Sequence, residues 1–228
     1  METPIVTSEA PVLLVGGGPC DPEALRADAA ACALRVAADS GAGALLGIGV
    51  PPDAVIGDMD SLSEIDRAQL PTRVLHPIVE QESTDFDKAL RNIDAPLVIA
   101  HGFLGARLDH QLAALTVLAR RPDRRCILVG RHDVAVLAPP ALALDLPAGT
   151  RVSLFPMAPA TGGSTGLRWP IDGLPFAPDA VIGTSNEALG RVELALDGPG
   201  MVLILPVAHL AALRSALDAQ PAGWPARA

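Results

Sequence analysis

Short apolar runs alternate with helix-like segments up to about residue 130, and this alternation constrains the fold more than any other feature of the chain. Each run is rich in Val, Ile, Leu and Ala, as buried strands are. Buried strands separated by helical segments predict a parallel sheet with helices on both faces, which is an α/β domain. The predicted strands are Val12–Val15, Arg35–Ala38, Ala54–Ile56, Leu97–Ala100 and Cys126–Val129.

Glycine and aspartate follow the predicted strands at the points where they end. In parallel sheets, ligands bind beyond the carboxyl ends of the strands, and glycine lets the backbone approach a ligand closely. We therefore expect the ligand site of this domain at these strand ends. The segments concerned are Gly16–Gly18, Asp39–Gly41, Gly57–Asp60 and His101-Gly102.

The pattern changes after about Gly130, where short β-type runs are separated by clusters of Pro and Gly. Short strands with frequent turn signals are typical of an antiparallel sandwich or barrel. A chain of 228 residues is long enough for two modest domains. We therefore predict an α/β domain over residues 1–131 and an all-β domain over residues 132–228, with a loose tail from Pro221.

Charge and cysteine content disfavour several classes of protein. The net charge of −9 disfavours binding to nucleic acid or to an anionic membrane surface, and no apolar run is long enough to span a bilayer. Lys88 is the only lysine and does not lie in a Gly-Lys-Ser/Thr sequence, which excludes a Walker A phosphate loop. Cys20, Cys32 and Cys126 have neither zinc-site nor disulfide spacing, and the N-terminus does not resemble a signal peptide. These features predict a cytoplasmic protein.

The acidic residues are concentrated between residues 53 and 87. This window has nine carboxylates and two arginines, so it holds −7 of the total charge of −9. Within it, Asp58-Met59-Asp60 follows a predicted strand, where two carboxylates can face one Mg²⁺ ion. The same residues could instead form an Asx turn, and the sequence leaves both interpretations open. A haloacid-dehalogenase-like phosphatase also uses an Asp-x-Asp pair, although Gly57 before the pair and the position of Lys88 disfavour that alternative.

Two further segments lead into predicted helices with side chains suited to anions or cations. Thr84 and Asp85 are either a helix cap or, with Lys88, part of a metal and phosphate site. Arg107 offers a planar donor fork to phosphate, whereas Asp109 could be only a helix cap. The sequence alone does not decide between the structural and the functional interpretation of either segment.

The predicted all-β domain has a tryptophan and a polar segment that could contact a ligand. Trp169 could stack on a flat or cationic ring, or it could simply pack in the core. Ser185 and Asn186 could contact the same ligand or form a turn. Both alternatives stay open from the residues alone.

Six segments, in this order along the chain, resemble motifs of the thiamine pyrophosphokinase family. Each motif is short, but their common order over roughly residues 12–205 makes chance agreement improbable. The segments are Ala38-Asp39-Ser40-Gly41-Ala42, Gly57-Asp58-Met59-Asp60-Ser61, Gln81 with Thr84-Asp85, Gly105-Ala106-Arg107-Leu108-Asp109-His110, Gly166-Leu167-Arg168-Trp169 and Ser185-Asn186-Glu187.

The resemblance implies an N-terminal α/β domain, a C-terminal antiparallel β-sandwich, and a homodimer with sites between subunits. It implies Mg²⁺-dependent transfer of the terminal diphosphate of ATP to the hydroxyl of thiamine, which yields thiamine diphosphate and AMP. The implied catalytic residues and metal ligands are Asp58, Asp60 and Asp85. The implied ATP-binding residues are Asp39, Ser40, Gln81, Thr84, Gly102, Arg107 and Asp109, and the implied thiamine-binding residues are Trp169, Ser185 and Asn186.

Three positions depart from the family's pattern. Ser40 and Ala106 replace usual glycines, which reduces backbone freedom near the expected phosphate site. Gly183 stands where some relatives have a serine that contacts thiamine. A non-catalytic nucleotide or thiamine sensor is therefore a third hypothesis, beside the diphosphotransferase and the phosphatase.

Overall fold

The computed structural model describes residues 3–105, 107–220 and 223–226, so Ala106 and half of the predicted loose tail lie outside the described residues. The chain divides into two compact units. One unit extends to Val117 and includes Cys126–Arg131, and the other comprises Leu118–Arg125 and the residues from His132 onward. Among the described residues, no helix is both long and apolar enough to cross a membrane.

The first unit alternates strands and helices along the chain. Its strands are β1 Val6–Thr7, β2 Val12–Val15, β3 Leu34–Ala38, β4 Ala54–Gly57, β5 Leu75–Pro77, β6 Ile93–Asp94, β7 Val98–His101 and β8 Cys126–Val129. Its α-helices are α1 Pro22–Ala31, α2 Gly41–Gly47, α3 Glu64–Ala68 and α4 Asp85–Arg91, and α5 Leu108–Arg120 begins in this unit; a 3-10 helix spans Thr72–Val74. The five strands predicted for this region are confirmed to within one residue at each end.

A parallel sheet forms the centre of the first unit. Its strands pair in the order β8-β7-β2-β3-β4-β5, and β1 and β6 form a separate parallel pair. The chain builds outward from β2 through β3, β4 and β5, and then adds β7 on the other side of β2. Such a reversal opens a crevice outside the carboxyl ends of the two central strands. In this unit, that crevice lies beyond β2 and β7.

The sheet is stable because its central strands bury aliphatic side chains on both faces. Every residue of β2, β4, β7 and β8 is buried. Only 3% of the chain is aromatic, so these Val, Leu, Ile and Ala residues make up most of the core. Full burial of one Val, Leu or Ile side chain contributes about 1.5–3 kcal/mol.

Local capping sets the start of the helices that leave the sheet edge. Asp21 precedes α1 and accepts hydrogen bonds from the N–H groups of Glu23 and Ala24 at 3.0 and 2.9 Å, with Pro22 at the first helical position. Thr84 caps α4 through a hydrogen bond from the N–H of Asp87 at 3.3 Å. The capping interpretation of Thr84 is confirmed.

The second unit is antiparallel. Its strands are β9 Asp133–Leu137, β10 Ala141–Asp145, β11 Arg151–Pro156, β12 Gly162–Leu167, β13 Gly183–Leu196 and β14 Met201–Pro206, followed by a 3-10 helix Val207–His209 and by α6 Leu210–Ala219. Strand β13 is 14 residues long and joins two sets of partners. Its first part pairs with β11, and its remainder pairs with β10 and β12.

Two of these strand segments contain residues that are typical of turns, so the sequence does not predict them as strands. Gly162-Gly163 and Ser185-Asn186 indicate turns, yet they lie in β12 and β13. Pairing with β13 holds β12 in an extended conformation, and Ser185 has a φ of 62° near a register shift between β11 and β13. The turn interpretation of Ser185-Asn186 is therefore wrong, because cross-strand hydrogen bonds outweigh the local preference.

Candidate functional site

A cavity of about 270 Å³ lies at the crevice of the first unit. It is lined by the loops after β2, β3 and β7 and by the starts of α4 and α5. Gly16–Gly18 and Gly102 expose backbone on one side, while Phe86 and Phe103 pack with ring centroids 4.4 Å apart on another. The cavity therefore has both a backbone surface suited to a polar ligand and an apolar surface.

Two glycines in this region are required by close backbone contacts. A Cβ atom on Gly102 would lie 2.4 Å from the carbonyl oxygen of Gly16, and Gly102 has a left-handed φ of 79°. A Cβ atom on Gly41 would lie 1.9 Å from the carbonyl oxygen of Val15. Any side chain at either position would push the strand ends apart, so these glycines maintain the crevice.

Five of the seven residues predicted to bind ATP line this cavity, namely Asp39, Ser40, Thr84, Gly102 and Arg107. Gln81 and Asp109 are exposed and do not line it. The Arg107 guanidinium contacts the Asp109 carboxylate at 2.6 Å, which lowers the pKa of Asp109 and raises that of Arg107. The donor fork predicted for phosphate is therefore engaged by a neighbouring carboxylate.

Ser40 fits its position without backbone strain. Its φ and ψ are −58° and −13°, which are ordinary helical values. Its Oγ atom fills the space where a Cβ on Gly17 would lie. Replacement of the usual glycine by Ser40 therefore needs no unusual backbone conformation, whereas the second replacement, Ala106, lies outside the described residues.

Three carboxylates meet beside the cavity. Asp39, Asp58 and Asp60 each have an oxygen within 4.8 Å of the others. Asp39 and Asp58 are neighbours because β3 and β4 are adjacent parallel strands that end side by side. The N–H of Asp60 donates to Asp58 Oδ1 at 3.3 Å, so the Asx turn is present as well. Oxygen ligands in such a group suit a divalent cation.

Asp39 has the environment of a cation ligand. It is 2% exposed, and its Oδ2 accepts a hydrogen bond from the N–H of Ser61 at 3.2 Å. Its Oδ1 is buried and has no hydrogen-bond partner among the residues that the structure describes. Burial, together with the charges of Asp85, Asp58 and Asp60, raises the pKa of Asp39 to about 6 despite the hydrogen bond from Ser61. Because an unpaired buried carboxylate oxygen is costly and a cation would offset that cost, these residues fit a divalent metal ion.

Lys88 is a buried counter-ion of the same acidic region. It is 1% exposed, and its Nζ lies 2.7 Å from Asp58 Oδ2 and 3.1 Å from Asp85 Oδ1. Burial alone would lower the pKa of Lys88, but hydrogen bonds to these carboxylates and their charges raise it, and Lys88 in turn lowers the pKa of Asp58. Asp85 is thus linked to Asp58 through Lys88, and its role as a metal ligand stays a prediction.

Backbone strain coincides with the residues singled out from the sequence. Among the described non-glycine residues, positive φ angles occur at Asp39 (45°), Met59 (67°) and Ser185 (62°). Such a conformation costs about 1–3 kcal/mol and persists only where the surroundings enforce it. Each of these residues is in a predicted ligand set or lies between two of its members, which supports a functional interpretation of the strain.

In the second unit, Asn186 holds Trp169 in place. Trp169 is 57% exposed, so the core-packing interpretation of this residue is wrong. The buried Asn186 side chain accepts a hydrogen bond from the N–H of Trp169 at 3.2 Å and donates one to its carbonyl oxygen at 2.7 Å. The Arg168 guanidinium lies 5.8 Å from the centre of the indole ring. The indole is therefore presented at the surface on a fixed backbone.

Ser185 and Gly183 lie on the same strand as Asn186. Ser185 is exposed, and its N–H donates to Ser153 Oγ at 3.0 Å. A Cβ atom on Gly183 would lie 3.1 Å from Phe176 Cε1 and 3.3 Å from the carbonyl oxygen of Leu154. A serine at position 183 would therefore need its neighbours to move, which is consistent with glycine here.

Two residues of the acidic region have contacts that the sequence analysis does not predict. Asp39 lies in the carboxylate group although the resemblance implies only an ATP contact, and Lys88 is a counter-ion although one of the two interpretations of its segment places it at a phosphate site. The sequence nevertheless contains a pattern that indicates each of these contacts. Asp39 and Asp58 follow consecutive predicted strands, and Lys88 is three residues after Asp85 on a predicted helix, where the two side chains share a face.

The fold and the acidic region together define the first unit as a ligand-binding α/β domain with a candidate metal site. The first unit has an α/β architecture with a ligand cavity at the sheet's crevice and, beside it, carboxylates that fit a divalent cation.

Comparison with known proteins then identifies the family that this chain resembles. Residues 26–129 match the family model described as the thiamin pyrophosphokinase catalytic domain. Thiamine pyrophosphokinase 1 of Arabidopsis thaliana is 29% identical over 154 residues, covering 59% of this chain and 58% of the relative. Thiamine pyrophosphokinase 3 of Oryza sativa subsp. japonica has the same identity and coverage. The chain thus spans about three fifths of the length of these curated relatives.

Solved structures show the same fold. Thiamin pyrophosphokinase from yeast superposes with a TM-score of 0.72 at 18% identity, covering 89% of this chain and 88% of that one. The Bacillus subtilis protein gives a TM-score of 0.70 at 20% identity, covering 86% and 98%. The chain therefore has the thiamin pyrophosphokinase fold of mixed sheet and helices, and the resemblance to that family seen in the six motifs is confirmed.

Proposed function

We propose that this chain is a thiamine pyrophosphokinase, which transfers diphosphate from ATP to the hydroxyl of thiamine and yields thiamine diphosphate and AMP. One observation carries the proposal. The group of Asp39, Asp58 and Asp60 lies beside a cavity at the strand ends, inside the segment that matches the thiamin pyrophosphokinase catalytic domain. A polyphosphate needs charge neutralisation and alignment, and these are what carboxylate-bound metal and backbone-lined loops supply.

Asp58 and Asp60, with Asp39, would hold the metal ion, which we propose to be Mg²⁺, and Asp85 would complete the site from the start of α4. A divalent cation supplies charge neutralisation at the phosphate oxygens when bound. Asp39, Ser40, Thr84 and Gly102 would line the nucleotide site. We also propose that Gln81 and Asp109 bind ATP, because the family resemblance implies it, although neither residue lines the cavity.

The reaction needs one bond made and one broken. The thiamine hydroxyl oxygen attacks the β-phosphorus of ATP, the P–O bond to the α-phosphate breaks, and AMP leaves with the bridging oxygen. The hydroxyl proton passes to a carboxylate, for which Asp85 is our proposal because it lines the cavity. Arg107 would exchange its contact with Asp109 for a phosphate oxygen, since a guanidinium binds either anion as a planar fork.

The second unit would bind thiamine. The exposed indole of Trp169 offers a flat surface to an aromatic, cationic ring, and Asn186 and Ser185 would lie beside it. We further propose that the second unit is a β-sandwich bridged by β13, that the domain boundary lies near residue 131, and that the protein is a cytoplasmic homodimer. Light scattering of the purified protein tests the dimer.

A turnover assay tests the proposed activity against its alternatives. Purified protein with ATP, Mg²⁺ and thiamine should form AMP and thiamine diphosphate in equal amounts. Formation of ADP, or tight binding of ATP or thiamine with no product, would contradict the proposal, and the second result would favour the sensor. Release of phosphate from small phosphomonoesters without ATP would favour the haloacid-dehalogenase-like phosphatase.

Removal of divalent cations should abolish turnover. The acidic window from residue 53 to 87 repels ATP unless a cation is present, so activity should rise steeply as Mg²⁺ is added back to chelator-treated protein. AMP formation is the measurement, and circular dichroism of the chelated protein is the control for folding. Full activity in excess chelator would show that the carboxylates do not hold a catalytic metal.

Replacement of Trp169 by Ala should raise the KM for thiamine about tenfold and leave the KM for ATP nearly unchanged, because a stacking surface is lost. Trp224→Ala is the matched control, since this second tryptophan donates its Nε1–H to the carbonyl oxygen of Ala138 at 2.8 Å and is only partly exposed. Steady-state kinetics with each substrate varied measures both constants. Equal thiamine KM values for the two variants would show that Trp169 does not contribute to thiamine binding.

A further inference from the structure

Among the lysine and arginine residues that the structure describes, Lys88 is distinguished by its burial in contact with two carboxylates. Its Nζ contacts Asp58 Oδ2 at 2.7 Å and Asp85 Oδ1 at 3.1 Å, and its side chain is 2% exposed. Asp58 therefore belongs to two groups at once. Its carboxylate is one of the three oxygen sources that meet within 4.8 Å, and it is also bound to an ammonium group.

The ammonium group lies where a further cation would otherwise be attracted. Asp39, Asp58, Asp60 and Asp85 together bring four negative charges to one end of the sheet, and Lys88 is the positive charge in direct contact with two of them. A fixed positive charge reduces the attraction of the group for divalent ions, and it occupies one oxygen each of Asp58 and Asp85. A lysine on a rigid helix also cannot leave, unlike a metal ion.

We propose that Lys88 is a positioning residue that takes the place of a second divalent cation between Asp58 and Asp85, and so limits how many metal ions the carboxylates bind. The proposal rests on the proposed function only in assigning the carboxylates to a metal site. In this view Lys88 orients Asp58 toward Asp39 and Asp60, and holds one oxygen of Asp85 while the other oxygen stays available to the proposed metal site. The proposed role does not include contact of Lys88 with phosphate, because the ammonium group is already bound to the carboxylates of Asp58 and Asp85.

The packing of α4 supports a fixed position for this amine. Lys88 lies in the middle of α4, where Phe86, Ala89 and Leu90 are also buried. Its carbonyl oxygen accepts a hydrogen bond from the buried Asn92 side chain at 2.8 Å. The backbone that presents the amine is therefore held on both sides of Lys88, and the ammonium position is set by the fold.

Binding of Mn²⁺ to nucleotide-free protein tests this proposal without any turnover. Mn²⁺ prefers the same oxygen ligands as Mg²⁺, and its free form is measured directly by electron paramagnetic resonance. We expect Lys88→Met to bind one additional Mn²⁺ ion per chain, or to bind Mn²⁺ about tenfold more tightly, because a positive charge has been removed from contact with two carboxylates. Lys88→Arg, which keeps the charge, should bind Mn²⁺ as the unaltered protein does.

A matched control separates a local effect from a change in net charge. Arg91→Met removes one positive charge from the same helix, but Arg91 pairs with Glu80 at 3.1 Å and lies 3.9 Å from Asp87, outside the carboxylate group. It should leave Mn²⁺ binding unchanged. Should Lys88→Met fail to fold, Lys88→Gln offers the same loss of charge with a hydrogen-bonding side chain.

The outcomes are distinct. Unchanged Mn²⁺ stoichiometry and affinity in folded Lys88→Met or Lys88→Gln would overturn the proposal and leave Lys88 as a stabilising residue only. An equal gain in Arg91→Met would overturn it too, because the effect would then be one of net charge. Failure of the proposed function is recognised separately, since the unaltered protein would then form no thiamine diphosphate whatever its Mn²⁺ binding.

Discussion

Asp58→Asn should reduce kcat/KM for thiamine diphosphate formation about 1,000-fold or more and leave the fold intact. Asp58 is the residue on which the acidic region depends, because it lies within 4.8 Å of Asp39 and Asp60 oxygens and binds Lys88. An amide keeps the size of the side chain and removes the charge. The substitution therefore weakens metal binding and the contact with Lys88. Initial rates of AMP formation at varied thiamine concentrations measure the loss in kcat/KM.

The matched control for this substitution is Glu64→Gln. Glu64 is an exposed carboxylate in the first turn of α3, within the same acidic stretch of the sequence but outside the carboxylate group. Its replacement should leave activity nearly unchanged. Activity of Asp58→Asn that survives at saturating Mg²⁺, with Glu64→Gln equally active, would show that the metal site lies elsewhere.

Gly41→Ala should destabilise the first unit by about 3 kcal/mol or prevent it from folding, although it adds a single methyl group. The added Cβ would lie 1.9 Å from the carbonyl oxygen of Val15 and 3.0 Å from Gly16 Cα. Both contacts are with backbone, so no side chain can rotate away. Relief would require β2 and the start of α2 to separate, which disrupts the buried sheet and the cavity together.

Gly47→Ala, in the last position of the same helix, is the control. A Cβ there meets no atom of the described residues within 4 Å, so the substitution should be neutral or stabilise by up to about 1 kcal/mol through helix propensity. Thermal unfolding followed by circular dichroism compares the two variants. If Gly41→Ala were as stable as Gly47→Ala, the close approach of the strand ends would not constrain this residue.

Much of the first unit could be predicted because its signals are local. The buried strands are continuous apolar runs, and the helices begin at capping residues such as Asp21 and Thr84. The second unit was harder to predict because its strands are held by cross-strand pairs. Gly162 and Ser185 prefer turns locally, and only their pairing within the sheet makes these segments extended.

The residue types and order of the motifs were already sufficient to indicate the family and the acidic site. The arrangement within that site depends on distances between segments that are far apart in the chain. Asp39 joins Asp58 because β3 and β4 pair in parallel, and Lys88 reaches Asp58 across 30 residues because α4 packs against the same strands. The residue types in the sequence thus indicate which side chains can bind a metal ion. The tertiary fold determines which of these side chains contact one another, because electrostatic and hydrogen-bond energies depend on separation in space.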